Sequence, residues 1–198
     1  LLTTRGDSDA AKIADKVYVF ESIDEPYTYN VSTYMGMILS ATLENPTEIK
    51  KYIQLLQFPD NFGAYKSYAF VLSDKYMQIC PMLDIKKSEL FGPHVSIRAF
   101  SQGHARHAKF VIRSADELVI SVGEKNEYFG DPNDRWDIFP PGDMSFAGIM
   151  GLTYFIVGKI QKAKPQYFKE NIAGYVSDYG PKAYASTKPF ELIVPGSK

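Results

Sequence analysis

The sequence predicts an α/β protein whose parallel sheet is covered by helices. Short, continuous apolar segments at residues 68–72 and 118–122 have the pattern of strands that are buried on both faces. In residues 29–43, by contrast, the apolar side chains recur with the period of a helix rather than of a strand. Strands that alternate with helices along a chain are typical of a parallel sheet with helices on its faces.

The N-terminal part of the chain predicts an alternation of strands and helices. Ser8 or Asp7 is a suitable N-cap for a short helix up to Ala14, and Asn45-Pro46 ends the helix at 29–43. The predicted elements here are strands at 1–4 and 17–20, the helix up to Ala14, and helices at 29–43 and 47–58. The turn-rich segment 59–63 that follows is the best candidate for a linker. We therefore expect one domain at 1–58 and a second at 64–198.

The second expected domain continues the alternation. Pro81 suits the first turn of a helix, because a proline there removes no helical hydrogen bond. The predicted elements are strands at 68–72, 110–112 and 118–122, a helix from about Pro81, a loop at 124–142 and a buried helix at 144–160. Residues 162–198 are rich in Tyr, Lys and Pro, and their pattern assigns no element.

Composition limits the classes of partner. The chain has 198 residues, of which 45% are hydrophobic, enough for a buried core. Its formal net charge of −1 argues against nucleic acid as a partner. The single Cys80 excludes an internal disulfide and favours a reducing compartment, so we expect the cytoplasm. The apolar stretch 145–158 is shorter than the roughly 20 residues that span a bilayer, so we expect no membrane partner.

The strongest chemical signal lies in residues 85–109, which contain all three histidines of the chain. Lys86 and Glu89 are three residues apart and share a face if this segment is helical. Together with His107 they supply a base, an ammonium and an imidazole, the groups that proton transfer beside a carbonyl requires. The alternative interpretation is that Lys86 and Glu89 form an ordinary exposed ion pair on a helix.

The clustered histidines also allow a metal site. His94, His104 and His107 could bind a metal ion with a carboxylate from Glu89 or Asp116. The segment lacks a recognised metal-binding spacing such as His-Glu-x-x-His. We therefore expect neither a metal nor another cofactor.

Several short motifs, taken in order, resemble the SIS (sugar isomerase) domain family. These motifs span about residues 1–160. They are similar to those of the isomerase part of glucosamine-6-phosphate synthase and of related deaminases. The motifs are Thr3-Thr4-Arg5-Gly6-Asp7-Ser8, the segment 25–34, Phe70-Val71-Leu72, Lys86-Lys87-Ser88-Glu89 and Gly103-His104-Ala105-Arg106-His107. The resemblance implies a three-layer, flavodoxin-like fold with two SIS subdomains. The first would be incomplete, since the chain opens in what would be the middle of a subdomain.

The resemblance also implies a function and a site. The chain would bind a phosphorylated sugar and catalyse aldose–ketose isomerisation or deamination of an amino-sugar phosphate. Glu89 would move a proton between C1 and C2, Lys86 would support it, and His107 would assist ring opening from the other subunit of a homodimer. Thr28 and Asn30 would contact the sugar.

The same resemblance leaves a second function open. The Ser/Thr-rich loop with which the family binds phosphate is not found in this sequence, and the family's lysine near the C-terminus has no clear counterpart. We expect the phosphate loop to lie upstream of Leu1. The alternative is a non-catalytic, regulatory module that binds a sugar phosphate.

Overall fold

The computed structural model describes residues 1–3, 5–19 and 31–179 of the chain. These residues divide into two units, which meet in the sequence between Tyr34 and Met35. The predicted linker at 59–63, with domains at 1–58 and 64–198, stays a prediction.

The first unit contains a small parallel pair of strands. Strand β1 (Leu2–Thr3) pairs with β2 (Tyr18–Val19), and helix α1 (Asp9–Ile13) lies between them in the sequence. The Ser8 side chain accepts a hydrogen bond from the Ala11 N–H at 3.2 Å, the contact expected of an N-cap. Both predicted strands and the predicted helix are confirmed.

Two helices precede the main sheet. Helix α2 (Val31–Thr42) ends before Asn45, and α3 (Pro46–Gln54) begins directly after it. The Asn45 side chain accepts a hydrogen bond from the Thr47 N–H at 2.9 Å, and Pro46 occupies the first turn. Helix α3 is shorter than the predicted 47–58.

The second unit is built on a four-stranded parallel sheet. Its strands are β3 (Ser67–Leu72), β4 (Ser96–Ser101), β5 (Glu117–Val122) and β6 (Arg135–Ile138), in the order β4-β3-β5-β6. All three pairings are parallel. Counted from β3 this is the order 2-1-3-4, the beginning of the flavodoxin-like arrangement.

Helices cover both faces of this sheet. Helix α4 (Cys80–Leu90), which follows a 3₁₀ helix at Asp74–Ile79, packs with α6 (Phe146–Ala163) on one face, and α7 (Tyr167–Tyr179) contacts α4. Helix α5 (Gln102–Ala108) covers the other face. The expected α/β fold with a parallel sheet between helices is confirmed. No helix in the described ranges is both long and apolar enough to cross a membrane.

One predicted strand is wrong. Residues 110–112 form no strand, because Lys109 and Phe110 have left-handed backbone angles, with φ of 57° and 49°. Phe110 turns into the core beside Ala105 and Phe129. Val111 and Ile112, which gave the segment its apolar pattern, are 79% and 89% exposed.

Four elements were not predicted. Strand β4 has the sequence Ser-Ile-Arg-Ala-Phe-Ser, whose apolar residues are interrupted because it forms an edge of the sheet. Helices α5 and α7 also lay in segments without a clear period. The region 124–142, predicted as a loop, contains β6.

Candidate functional site

The last turn of α4 brings together two of the predicted site residues. Lys86 Nζ donates a hydrogen bond to Glu89 Oε2 at 2.5 Å. Lys86 is only 9% exposed, which is unusual for a lysine and requires a partner for its ammonium. The Glu89 side chain keeps 38% of its surface open. A largely buried lysine therefore orients a carboxylate that solvent can reach.

His107 lies elsewhere in the protomer. Helix α4 returns from the carboxyl edge of the sheet, so Glu89 lies near the amino edge, where β4 begins. His107 is an exposed residue of α5, which starts at the carboxyl edge and packs on the opposite face. The structure joins Lys86 to Glu89 but does not bring His107 to them within one protomer.

The predicted sugar contacts, Thr28 and Asn30, lie outside the described residues.

The other two histidines have surroundings of their own. His94 stacks on Tyr167, with ring centroids 4.4 Å apart and planes inclined by 12°. The backbone N–H of His104 donates to the Ser101 hydroxyl at the start of α5. Within residues 1–3, 5–19 and 31–179, no three metal-binding side chains are grouped so that they could hold an ion.

The carboxyl edge between β3 and β5, where the strand order reverses, is the usual ligand position in a sheet of this topology. Asp74 follows β3 at the carboxyl edge, on the side of β4, and accepts a hydrogen bond from the Gly103 N–H at 2.8 Å. This bond and the Ser101 hydroxyl, with smaller contributions from Arg106 and His104, lower the pKa of Asp74, although burial opposes the shift. An anion at this position would therefore meet a carboxylate. The sequence analysis did not identify Asp74, although an acid directly after a buried strand is a signal for this edge.

Comparison with solved structures identifies the type of fold. Glucosamine-6-phosphate deaminase from Thermotoga maritima superimposes with a TM-score of 0.53 over 87% of this chain, with 13% sequence identity. The chain has a sugar-phosphate deaminase type of fold. It spans 61% of the length of that deaminase. No protein-family model matches the chain, so the SIS resemblance itself stays a prediction. The search of curated proteins gives no match either.

Among the residues that the structure describes, two clefts adjoin α3. A cleft of about 380 Å³ lies between α2, α3 and α6 and is lined mainly by apolar side chains, including Met35, Ile53 and Phe155. A second cleft, of about 650 Å³, lies between the α2–α3 junction and residues 141–144. Neither cleft includes Glu89 or His107 in its lining.

Proposed function

We propose that the chain acts on a phosphorylated sugar, as an aldose–ketose isomerase or an amino-sugar-phosphate deaminase. The fold of the Thermotoga maritima enzyme supports the class of substrate, because that protein is a glucosamine-6-phosphate deaminase. The residues that we assign are Glu89, Lys86 and His107 for catalysis and Thr28 and Asn30 for sugar binding. The protein would work as a homodimer in the cytoplasm, without a metal or other cofactor.

The observation that carries this proposal is the pairing of Glu89 with a buried lysine. A purely structural surface pair would leave both long side chains in solvent, where such a pair contributes little to stability. Here the lysine side chain is largely buried, while the glutamate side chain is partly open to solvent. Glu89 can therefore face a substrate while Lys86 fixes its position. This arrangement suits a general base that removes a proton from the carbon beside a carbonyl.

The separation of Glu89 from His107 supports a shared site between two subunits. Since the two side chains lie on opposite faces of one sheet, a site that uses both would take His107 from a second copy. A twofold dimer would form two such sites, because each subunit presents the same two surfaces to the other.

The test is proton exchange in deuterated water with fructose 6-phosphate and glucosamine 6-phosphate as substrates. We expect Glu89→Gln to reduce deuterium incorporation, at C1 of fructose 6-phosphate and at C2 of glucosamine 6-phosphate, by about a hundredfold or more, because the amide cannot accept the proton. Glu127→Gln is the matched control, since Glu127 is exposed and pairs with Lys125. Unchanged thermal unfolding would show that Glu89→Gln leaves the fold intact. Wild-type protein without any exchange would contradict the enzymatic proposal.

A second function is a regulatory module that binds a sugar phosphate without converting it. The observation that favours it is the position of Glu89 and His107 on helices that cover opposite faces of the sheet, together with Asp74 at the carboxyl edge. Saturable binding of either sugar phosphate, measured by calorimetry, with no exchange at C1 of fructose 6-phosphate or C2 of glucosamine 6-phosphate would support this module and exclude the isomerase.

A further inference from the structure

The N-terminus of α6 is capped by a side chain from a distant part of the chain. The Glu44 carboxylate accepts hydrogen bonds from the backbone N–H groups of Ser145, Ala147 and Gly148 at 2.7, 2.8 and 3.0 Å. These are donors that an α-helix cannot satisfy itself, and the helix dipole adds positive charge at the same place. Ser145, at the N-cap position, makes no capping hydrogen bond with its own side chain. Glu44 therefore performs the capping from the α2–α3 junction.

The backbone on both sides is adapted to this contact. Leu43, directly before Glu44, has a φ of 58°, a left-handed conformation that costs a leucine about 1 kcal/mol or more. Its side chain is 86% exposed, so burial of the leucine does not offset that cost. On the helix, a Cβ added at Gly148 would lie 2.9 Å from Glu44 Oε1. A strained residue, Leu43, and a helical glycine, Gly148, therefore lie where the Glu44 carboxylate approaches α6.

The rest of the hairpin formed by α2, the junction and α3, residues 35–56, is loosely packed. Helix α3 contains no buried residue, although it contacts α6. Clefts of about 380 and 650 Å³ lie along its two sides. A segment with few buried apolar side chains opens more easily than the core does.

We propose that Glu44 is a latch that fastens the α2–α3 hairpin to α6, and that the hairpin opens as a unit when the carboxylate leaves the helix N-terminus. Opening would join the apolar cleft beside Phe155 to the larger cleft and expose the first turn of α6. The titratable groups that line the larger cleft together with Glu44 are Glu48, Lys51, Tyr52 and Asp143. Burial alone would raise the pKa of Glu44, but the N–H groups of Ser145, Gly148 and Ala147 and the Thr42 hydroxyl lower it overall. The carboxylate is therefore charged, and the latch closed, at neutral pH.

The test is amide hydrogen exchange of the full chain at neutral pH. In Glu44→Gln we expect the amides of Ala147, Gly148 and α3 to exchange about tenfold faster or more, while β3 and β5 keep their wild-type rates. Glu48→Gln is the matched control, because Glu48 lines the same cleft without bonding to α6. Unchanged rates in α3 would overturn the proposal. So would an equal acceleration in β3, since the hairpin would then open only with the whole unit.

A second variant disrupts the contact of Glu44 with α6 without changing any charge. Gly148→Ala places a methyl group against Glu44 Oε1 and the Met144 side chain, and so displaces the carboxylate. We expect the same local acceleration of exchange and faster tryptic cleavage after Lys50 and Lys51 in α3. Cleavage at the wild-type rate in both Glu44→Gln and Gly148→Ala would overturn the latch.

Discussion

Tyr68 shows how a single buried hydroxyl is held in the core. Its side chain is fully buried in β3, and its hydroxyl donates a hydrogen bond to the Phe62 carbonyl at 2.7 Å. Burial, with a smaller effect of Tyr65, raises the pKa of Tyr68 to about 12. The bond ties the segment before β3 to the sheet, and the loss of its donor would leave a buried carbonyl unpaired.

We expect Tyr68→Phe to lower the free energy of unfolding by about 1 kcal/mol, measured in urea at pH 7. The stability of the wild type should also fall between pH 10 and about 12, because unfolded Tyr68 ionises there while the folded residue keeps its proton. Tyr128→Phe is the control, since Tyr128 is 68% exposed. An equal loss of stability in both variants would contradict the assigned role of the Phe62 bond.

The predictable part of the candidate site is local. A spacing of three residues was enough to predict the pair of Lys86 and Glu89, because neighbours on a helix face follow from helix geometry alone. The burial of Lys86 depends on the tertiary packing of α4 and could not be predicted from the spacing. The contact of Glu44 with α6 joins residues more than a hundred positions apart in the sequence, and no local pattern indicates it.

At the level of the elements, the loop between β5 and β6 is held by specific contacts. Arg135 donates hydrogen bonds to the carbonyls of Phe129 and Gly130, at 2.8 and 3.1 Å. Gly130 has a φ of 72°, and a Cβ there would lie 2.3 Å from Val119 Cγ2. The loop therefore packs on the sheet only where a glycine allows it.

We expect Gly130→Ala to lower the free energy of unfolding by about 2–4 kcal/mol, because it adds both backbone strain and a clash with Val119. Thermal or urea unfolding measures the loss. When Val119 is also changed to alanine, Gly130→Ala should lower the free energy of unfolding by less, since the clash is removed. Gly158→Ala is the control, because Gly158 is an open helical position and alanine there should stabilise. A Gly130→Ala variant as stable as wild type would show that the loop does not depend on this contact.

Within the four-stranded sheet, the strands that could be predicted are those that are buried on both faces. Strands β3 and β5 are covered on both faces, so their residues are continuously apolar and the sequence indicates them directly. Strand β4 is an edge strand with Arg98 exposed, and its pattern is broken. The segment 110–112 is apolar but cannot pair, because the two left-handed residues at 109 and 110 redirect the backbone. Apolar content alone does not distinguish these cases.

For the second unit as a whole, we expect two carboxylates that bind helix starts, Glu44 and Asp74, to contribute to the response to acid. The pKa values of Glu44 and Asp74 are both lowered in the fold. Their stabilising contributions are complete above the ordinary carboxyl pKa values near 4 and are lost as the pH falls towards the lower folded values. We expect the free energy of unfolding in urea to fall from pH 5 to pH 3. The fall should be less steep in the double variant Glu44→Gln/Asp74→Asn than in the wild type. A wild-type slope in that variant would mean that other groups cause the acid sensitivity.

The proposed site with both Glu89 and His107 requires the protein to form a dimer. If each site takes Glu89 from one subunit and His107 from the other, neither Glu89→Gln nor His107→Asn would be active alone. In an equal mixture that is unfolded and refolded together, half of the dimers would be hybrids with one intact site of two. About a quarter of the wild-type exchange at C2 should then return.

The matched control for this experiment mixes Glu89→Gln with Lys86→Met. Both changes lie on α4 and belong to the same half of the shared site, so every hybrid site carries one of the two defects. We expect no recovery from this mixture. Recovery from the first mixture alone would place His107 opposite Glu89 across a subunit interface. If both mixtures stay inactive while wild-type protein exchanges, the site does not need His107 from a second copy, and the base and its partners must then be sought within one protomer.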